Sequence, residues 1–207
     1  MLETERLTLR AWAETDAESL YSYAKDPDIG PIAGWPAHRS KEESLNTIRH
    51  VLNGKECYAI CERGSNNPIG SIELKLNGHT DMTDRDDECE LGYWLGKPFW
   101  GRGYMPEAAK EVIRHGFVDL GMSAIWCGYY DGNLKSKRVQ EKVGFVYHHT
   151  CDEVPVPLYA RGACRARECS YQITLAKFSC LLIVLEANLE CFGRVLVGFE
   201  RMLVKTL

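Results

Sequence analysis

The sequence predicts an α/β (α+β) domain, a mixed central sheet of about seven strands flanked by about four helices. Three observations predict it. Several short runs alternate apolar and polar residues, while others repeat apolar residues every three or four positions, the periods of strand and helix. Two alternating runs, "CYAICE" (57–62) and "IGSIELKL" (69–76), flank the turn signal "SNNP" and read as an antiparallel pair. A helical pattern over 106–120 separates two further strand patterns, which makes those strands parallel neighbours joined by a right-handed crossover.

The elements follow in order. "RLTLRAW" (6–12) alternates as a half-buried strand does. Thr15 and Glu18 stand at capping-box spacing, so a helix begins near Asp16, with Ala17, Leu20, Tyr21 and Ala24 on one face. "DPDIGPIAGWP" (26–36) is a Gly- and Pro-rich loop. Ser40 and Glu43 repeat the capping-box spacing before a helix that ends at Gly54. After the antiparallel pair, an acidic connection leads to a third strand of that run, "CELGYWL" (89–95). In the crossover helix Ala109, Val112, Ile113, Phe117 and Leu120 share a face, and Gly121 stops it. "SAIWCGYY" (123–130) is a strand, "LKSKRVQEKVG" a short helix closed by Gly144, and "FVYHHTC" and "ECSYQITL" two last strands. From about Phe178 the composition changes. Residues 178–207 form an apolar helical extension beyond a domain at 1–177, and such a surface must be buried against the domain or in a homodimer.

Composition narrows the function. The net charge of −4 argues against a nucleic-acid binder. "MLETERLTLRAW" is too charged for a secretory signal and no apolar run approaches a membrane span, so the expectation is a cytoplasmic protein without a membrane partner. The 9 cysteines then read as reduced thiols. "HHTC" (148–151) with Cys164 and Cys169 includes no CxxC pair, and no metal is expected.

"FWGRGYMPEA" (99–108) joins a strand to the crossover helix. Gly101 and Gly103 let the backbone bend sharply and admit an anion where a Cβ would stand. The helix start offers unpartnered amides and a positive dipole end, Arg102 adds charge, and Pro106 suits a first turn. The segment fits an anion cradle. With no GK[ST] after it and no third glycine, it is neither a nucleotide P-loop nor a dinucleotide fingerprint.

"ELGYWLGKPFWGRGYMPEA", followed about thirty residues on by "NLKSKRVQEKVGF", resembles the GCN5-related N-acetyltransferase (GNAT) superfamily. The opening "LETERLTLRAW" points to its ribosomal-protein N-terminal acetyltransferase-like branch. The resemblance runs from residue 2 to about 177 and implies the GNAT fold and acetyl-CoA as cosubstrate. It implies that the amides of Gly101, Arg102, Gly103, Tyr104 and Met105 hold the pyrophosphate, beside Trp94 and Leu95. Trp100 and Met105 depart from the wider pattern [QR]-x-x-G-x-[GA], and Met105 takes some room near the phosphate without removing a donor. Asn133 and Ser136 match the family's NxxS. By that likeness Asn133 binds the pantetheine arm or caps the helix, and Ser136 delivers a proton to the sulfur.

Acetyl transfer to a primary amine also needs a base, because the attacking nitrogen must be neutral. Glu90, on the strand entering the glycine turn, is the first candidate; Asp152, Glu153, His148 and His149 are alternatives. Trp35 and Tyr93 are expected to wall the acceptor pocket, and the acidic run 81–88 to steer a cation or simply to be solvated. The expected acceptor is a protein N-terminal α-amine or a small-molecule amine. The competing readings are a non-catalytic acyl-CoA-binding module and an oligomeric scaffold built on the tail.

Overall fold

The computed structural model describes residues 1–155, apart from 77 and 81, and residues 165–178. Residues Met1–Leu175 form one compact unit. Its strands are β1 (Leu2–Glu3), β2 (Leu7–Ala11), β3 (Cys57–Glu62), β4 (Pro68–Lys75), β5 (Glu88–Leu95), β6 (Ala124–Tyr130), β7 (Val146–Pro155) and β8 (Arg165–Thr174). Its helices are α1 (Ala17–Ala24), α2 (Lys41–His50), α3 (Tyr104–Arg114) and α4 (Leu134–Lys142). The strands form one sheet in the order β1-β2-β3-β4-β5-β6-β8-β7. β5 and β6 run parallel and every other pair is antiparallel, as the crossover helix between them requires. The sequence reading lacked only β1, whose 2 residues are too few to show a period.

Helices cover both faces. Trp94 and Tyr93, adjacent on β5, point to opposite sides of the sheet. Trp94 packs with Trp12 and Trp35 against the buried Ala17, Leu20, Ala24 and Ile48 of α1 and α2. The Tyr93 hydroxyl instead bonds Ser136 of α4. Between the layers, Leu7, Leu9, Ile60, Ile72, Leu91, Ile125 and Ile173 are almost wholly buried. β3 and β4 are buried along most of their length on both sides, Ser71 included, because both their faces are covered, so their alternation does not mark a solvent-facing side.

Two helix starts differ from the spacing rule. At α1 the Thr15/Glu18 box does not form. A short 3-10 turn (Glu14–Asp16) precedes the helix, and the Asp16 carboxylate accepts the Ala13 amide at 2.9 Å. Asp16 is also gripped by Arg10 at 2.7 and 2.9 Å, a shielded pair that outcompetes a hydroxyl cap. We expect Asp16→Ala to lower unfolding stability by about 3 kcal/mol in a urea titration, because it leaves the Arg10 guanidinium without its carboxylate and the Ala13 amide without its acceptor. At α2, Ser40 accepts the Glu43 amide as predicted, but Glu43 takes its return bond from the Arg39 amide.

The crossover helix also differs from its expected span of 106–120. It begins at Tyr104, and after Arg114 it widens into a π-helical turn, His115–Asp119. The turn is fixed by His115, which bridges Glu56 at 2.9 Å and Asp119 at 2.8 Å. The tail beyond Phe178, Cys164 and the side chain of Glu153 lie outside the described residues, and with them the dimer expectation. Among the described residues no helix is long and apolar enough to cross a membrane.

Candidate active site

The site begins with a fork. β5 and β6 share only three registered pairs, Glu88↔Ala124, Cys89↔Ile125 and Glu90↔Trp126. Beyond them β5 stays with β4 as far as Gly70↔Leu95, while β6 stays with β8 as far as Tyr130↔Glu168. Each strand follows its antiparallel partner, so the two part. Two cavities of about 430 Å³ each meet at this fork, and both are lined by Tyr93, Trp94, Asn133 and Ser136.

The first cavity holds the glycine turn. Gly101 (φ 76°) and Gly103 (φ 79°) are both left-handed, and Gly103 caps α3. A Cβ at Gly101 would meet no atom within 4 Å, and one at Gly103 would meet only Arg6 Nη2 at 3.4 Å. The glycines thus serve the backbone angle and an open approach, not close packing. Tyr104 and Met105, first in α3, have amides with no intrahelical acceptor. The Met105 side chain is buried. Arg102 lays its guanidinium over Phe99, 5.5 Å from the ring centroid, and contributes to the turn through its backbone. Leu95 lines the cavity and accepts the Trp100 indole N–H at 2.7 Å.

Positive charge on this side comes from α4. Lys135, Arg138 and Lys142 line the cavity, with Lys135 Nζ 3.8 Å from the Trp100 ring centroid. The sequence reading missed these three, although positions 135, 138 and 142 fall on one helical stripe that could have been read. Open left-handed glycines, free first-turn amides and a basic stripe fit a diphosphate-bearing cosubstrate.

At the fork itself, Asn133 caps α4 by accepting the Ser136 amide at 3.2 Å and donates to the Ile32 carbonyl at 3.3 Å. Ser136 Oγ lies 2.9 Å from the Tyr93 hydroxyl and accepts from Gln140 Nε2 at 3.3 Å. Burial pushes the Tyr93 phenol well above its ordinary range, so it stays protonated. Tyr93 lines both cavities, but its hydroxyl is committed to Ser136.

The second cavity lies under the loop at 26–38. Trp35 lines it, 5.9 Å from Trp94 and 5.5 Å from His38 between ring centroids. Gly30 makes room for Trp35, since a Cβ there would come within 2.5 Å of the indole. Glu90 lines the cavity too, with one oxygen 2.8 Å from Lys75 Nζ and the other accepting from Thr80 at 2.6 Å. A further carboxylate, Glu73, escaped the sequence reading. It sits against the Cys57 thiol and lies 3.0 Å from where a Cβ on Gly92 would be. Burial pushes its carboxyl up, the Lys75 ammonium opposes this, and the Glu90 charge reinforces it. Nothing in a linear run of alternating residues separates Glu73 from a solvent-facing strand glutamate. His148 and His149 lie elsewhere, exposed beside Trp126.

The family model described as "Acetyltransferase (GNAT) domain" matches residues 6–146. YdaF of Bacillus subtilis, a candidate ribosomal N-acetyltransferase, is 34% identical over 154 residues, 69% of this chain and 79% of YdaF. The FsC-acetyl coenzyme A-N(2)-transacetylase of Aspergillus fumigatus is 32% identical over 159 residues, 72% of this chain and 66% of that protein. The crystal structure of a GNAT-family acetyltransferase from Bacillus anthracis superposes with a TM-score of 0.71 at 22% identity, covering 84% of this chain and 97% of that one.

Proposed function

This chain belongs to the GNAT acetyltransferase family and is an acetyl-CoA-dependent N-acetyltransferase, and from that premise we propose how its residues divide the work. Acetyl-CoA supplies a thioester: a bond forms between the acceptor nitrogen and the acetyl carbon, and the carbon–sulfur bond breaks. The amides from Gly101 to Met105 hold the diphosphate, and the stripe of Lys135, Arg138 and Lys142 adds cationic charge beside it. The edge of β5 beyond Glu90, no longer laddered to β6, offers main-chain groups to the extended pantetheine arm.

Proton traffic runs from one side of the fork to the other. Glu73 takes the proton of the incoming ammonium, and its raised pKa brings it nearer the working pH than an exposed glutamate. Glu90, held by Lys75 and Thr80, is a positioning residue that keeps negative charge beside Glu73. Ser136, coupled to the protonated Tyr93, returns a proton to the departing sulfur. Trp35 and Trp94 wall the acceptor.

The single observation that supports this reading is the fork, where two cavities meet with a carboxylate on one side and a hydroxyl pair on the other. The test is thiol release from acetyl-CoA in the presence of a panel of primary amines, for wild type and Ser136→Ala. The serine variant should lose about 10- to 100-fold in kcat, with its KM for acetyl-CoA changing much less. An unchanged kcat would remove Ser136 from proton delivery. No thiol release by the wild type with any amine would overturn the mechanism.

A further inference from the structure

The opening segment "LETERL" has no role in the chemistry above, yet its contacts end at the glycine turn. Thr4 and Arg6 lie in the bend between β1 and β2, and both reach Glu107 in the first turn of α3. Glu107 Oε1 accepts from Thr4 Oγ1 at 2.6 Å and from the Arg6 amide at 2.8 Å. Its Oε2 accepts from Arg6 Nε at 2.7 Å and from Nη2 at 2.6 Å. The guanidinium lies over the Tyr104 ring, 4.7 Å from its centroid, and the Tyr104 hydroxyl is held by Glu62 at 2.7 Å. Fixed in this way, Arg6 donates from Nη1 to the Arg102 carbonyl at 3.0 Å, 96 residues away in sequence.

That last bond fixes a whole peptide. The Arg102 carbonyl and the Gly103 amide belong to one trans peptide unit, so they point in opposite directions. With the carbonyl turned to Arg6, the Gly103 N–H faces away from Arg6. Gly103 lines the cosubstrate cavity, whereas Arg6 and Glu107 line neither cavity. The turn's own residues do not enforce this orientation. Rotating the 102–103 peptide by half a turn would take Gly103 from φ 79° to a negative φ, which glycine adopts about as readily. The rotation would also put a carbonyl oxygen where the amide stood, an acceptor in place of a donor. A phosphate oxygen is bound by the donor and repelled by the acceptor.

We propose that Arg6 is a positioning residue for the diphosphate cradle: it holds the Arg102 carbonyl and so keeps the Gly103 amide turned to the phosphate, while Glu107 holds Arg6. The proposal rests on the cradle reading given above. A direct role for the Arg6 charge is the weaker account, because Glu107 neutralises it at 2.6 Å. An arginine suits the task, since its planar fork can meet a carboxylate along one edge and still offer a donor to a third group. The clamp also ties the first strands of the sheet to the start of α3, so the cradle's geometry depends on the chain's opening residues.

Calorimetric titration of CoA into the full chain tests this with wild type, Arg6→Lys and Glu107→Gln. Arg6→Lys keeps the charge but has no fork to span Glu107 and the Arg102 carbonyl together. Its CoA Kd should rise about 10-fold, the worth of one charge-assisted contact. Glu107→Gln receives opposite signs from the two accounts. It removes a negative charge beside the turn, so charge alone would tighten CoA binding. It also sets an amide against the donors of Arg6 and Thr4, so a loosened clamp should weaken binding by about 3- to 10-fold. A merely structural loss would lower the fraction of chains that bind and leave the Kd of the rest as it was. Wild-type Kd in Arg6→Lys, tighter binding by Glu107→Gln, or a fall in stoichiometry alone would each overturn the assignment to Arg6 and leave the cradle standing. No CoA binding by a wild type that melts cooperatively would overturn the cradle itself, and this inference with it.

Discussion

Glu73→Gln should lower kcat by about two to three powers of ten, the usual worth of a positioned general base, while making the folded protein more stable at neutral pH. The two effects have one cause. Burial, reinforced by the neighbouring Glu90 charge, raises the carboxyl pKa in the folded state despite the opposing Lys75 ammonium. A group whose folded pKa lies above its unfolded value favours folding when protonated, at pH below the unfolded pKa near 4.3. That contribution disappears as pH rises through the folded pKa, so at neutral pH the ionised Glu73 is a cost. Glutamine keeps the shape and removes the charge. The melting temperature should then rise by about 2–4 °C for each kcal/mol relieved, and the gain should vanish as the pH is brought below 4. The same substitution should flatten the acidic limb of kcat/KM. A variant with wild-type turnover would return the base role to Glu90, and Glu90→Gln would then be the variant that loses rate.

The second large effect is expected at the cradle. Gly103→Val should weaken acetyl-CoA binding by about 100-fold or more. Gly103 has φ 79°, where a β-branched residue is strained by about 1–3 kcal/mol, and its side chain would enter the open approach to the α3 amides. Gly64→Val supplies the comparison. Gly64 has φ 83° and open space around it in the turn between β3 and β4, so it carries the same backbone strain far from the cavity. Calorimetry should find acetyl-CoA affinity within about 2-fold of wild type for Gly64→Val, at a similar loss of stability. Equal losses of affinity would assign the effect to strain alone and remove the cradle.

These two residues differ in how visible they were. Gly103 was legible because its role is local: a left-handed backbone angle, a helix start and a following proline are written within a few adjacent residues. The Asn133 cap is local in the same way, whereas Ser136, three residues on, was marked by its match to the family's NxxS. Glu73 was not, since what distinguishes it is burial against Cys57 and Gly92, the latter from a strand that begins 15 residues later. Tyr93 fell between. It was expected to wall the acceptor pocket; it lines both cavities, but alternation on β5 sends it to the α4 face, where its hydroxyl meets Ser136, while Trp94 packs on the α1 and α2 side.

By itself the sequence determined the mixed sheet, the parallel crossover, the glycine turn and the family's motifs, because hydrophobic period, turn chemistry and caps act over a few residues and do not wait for the rest of the chain. Only the tertiary structure decided the fork, the pairing of Glu90 with Lys75, and the approach of Glu73 over Gly92. Those depend on which strands remain laddered and on how far a carboxylate is withdrawn from water, and both are properties of residues distant in sequence brought to one place.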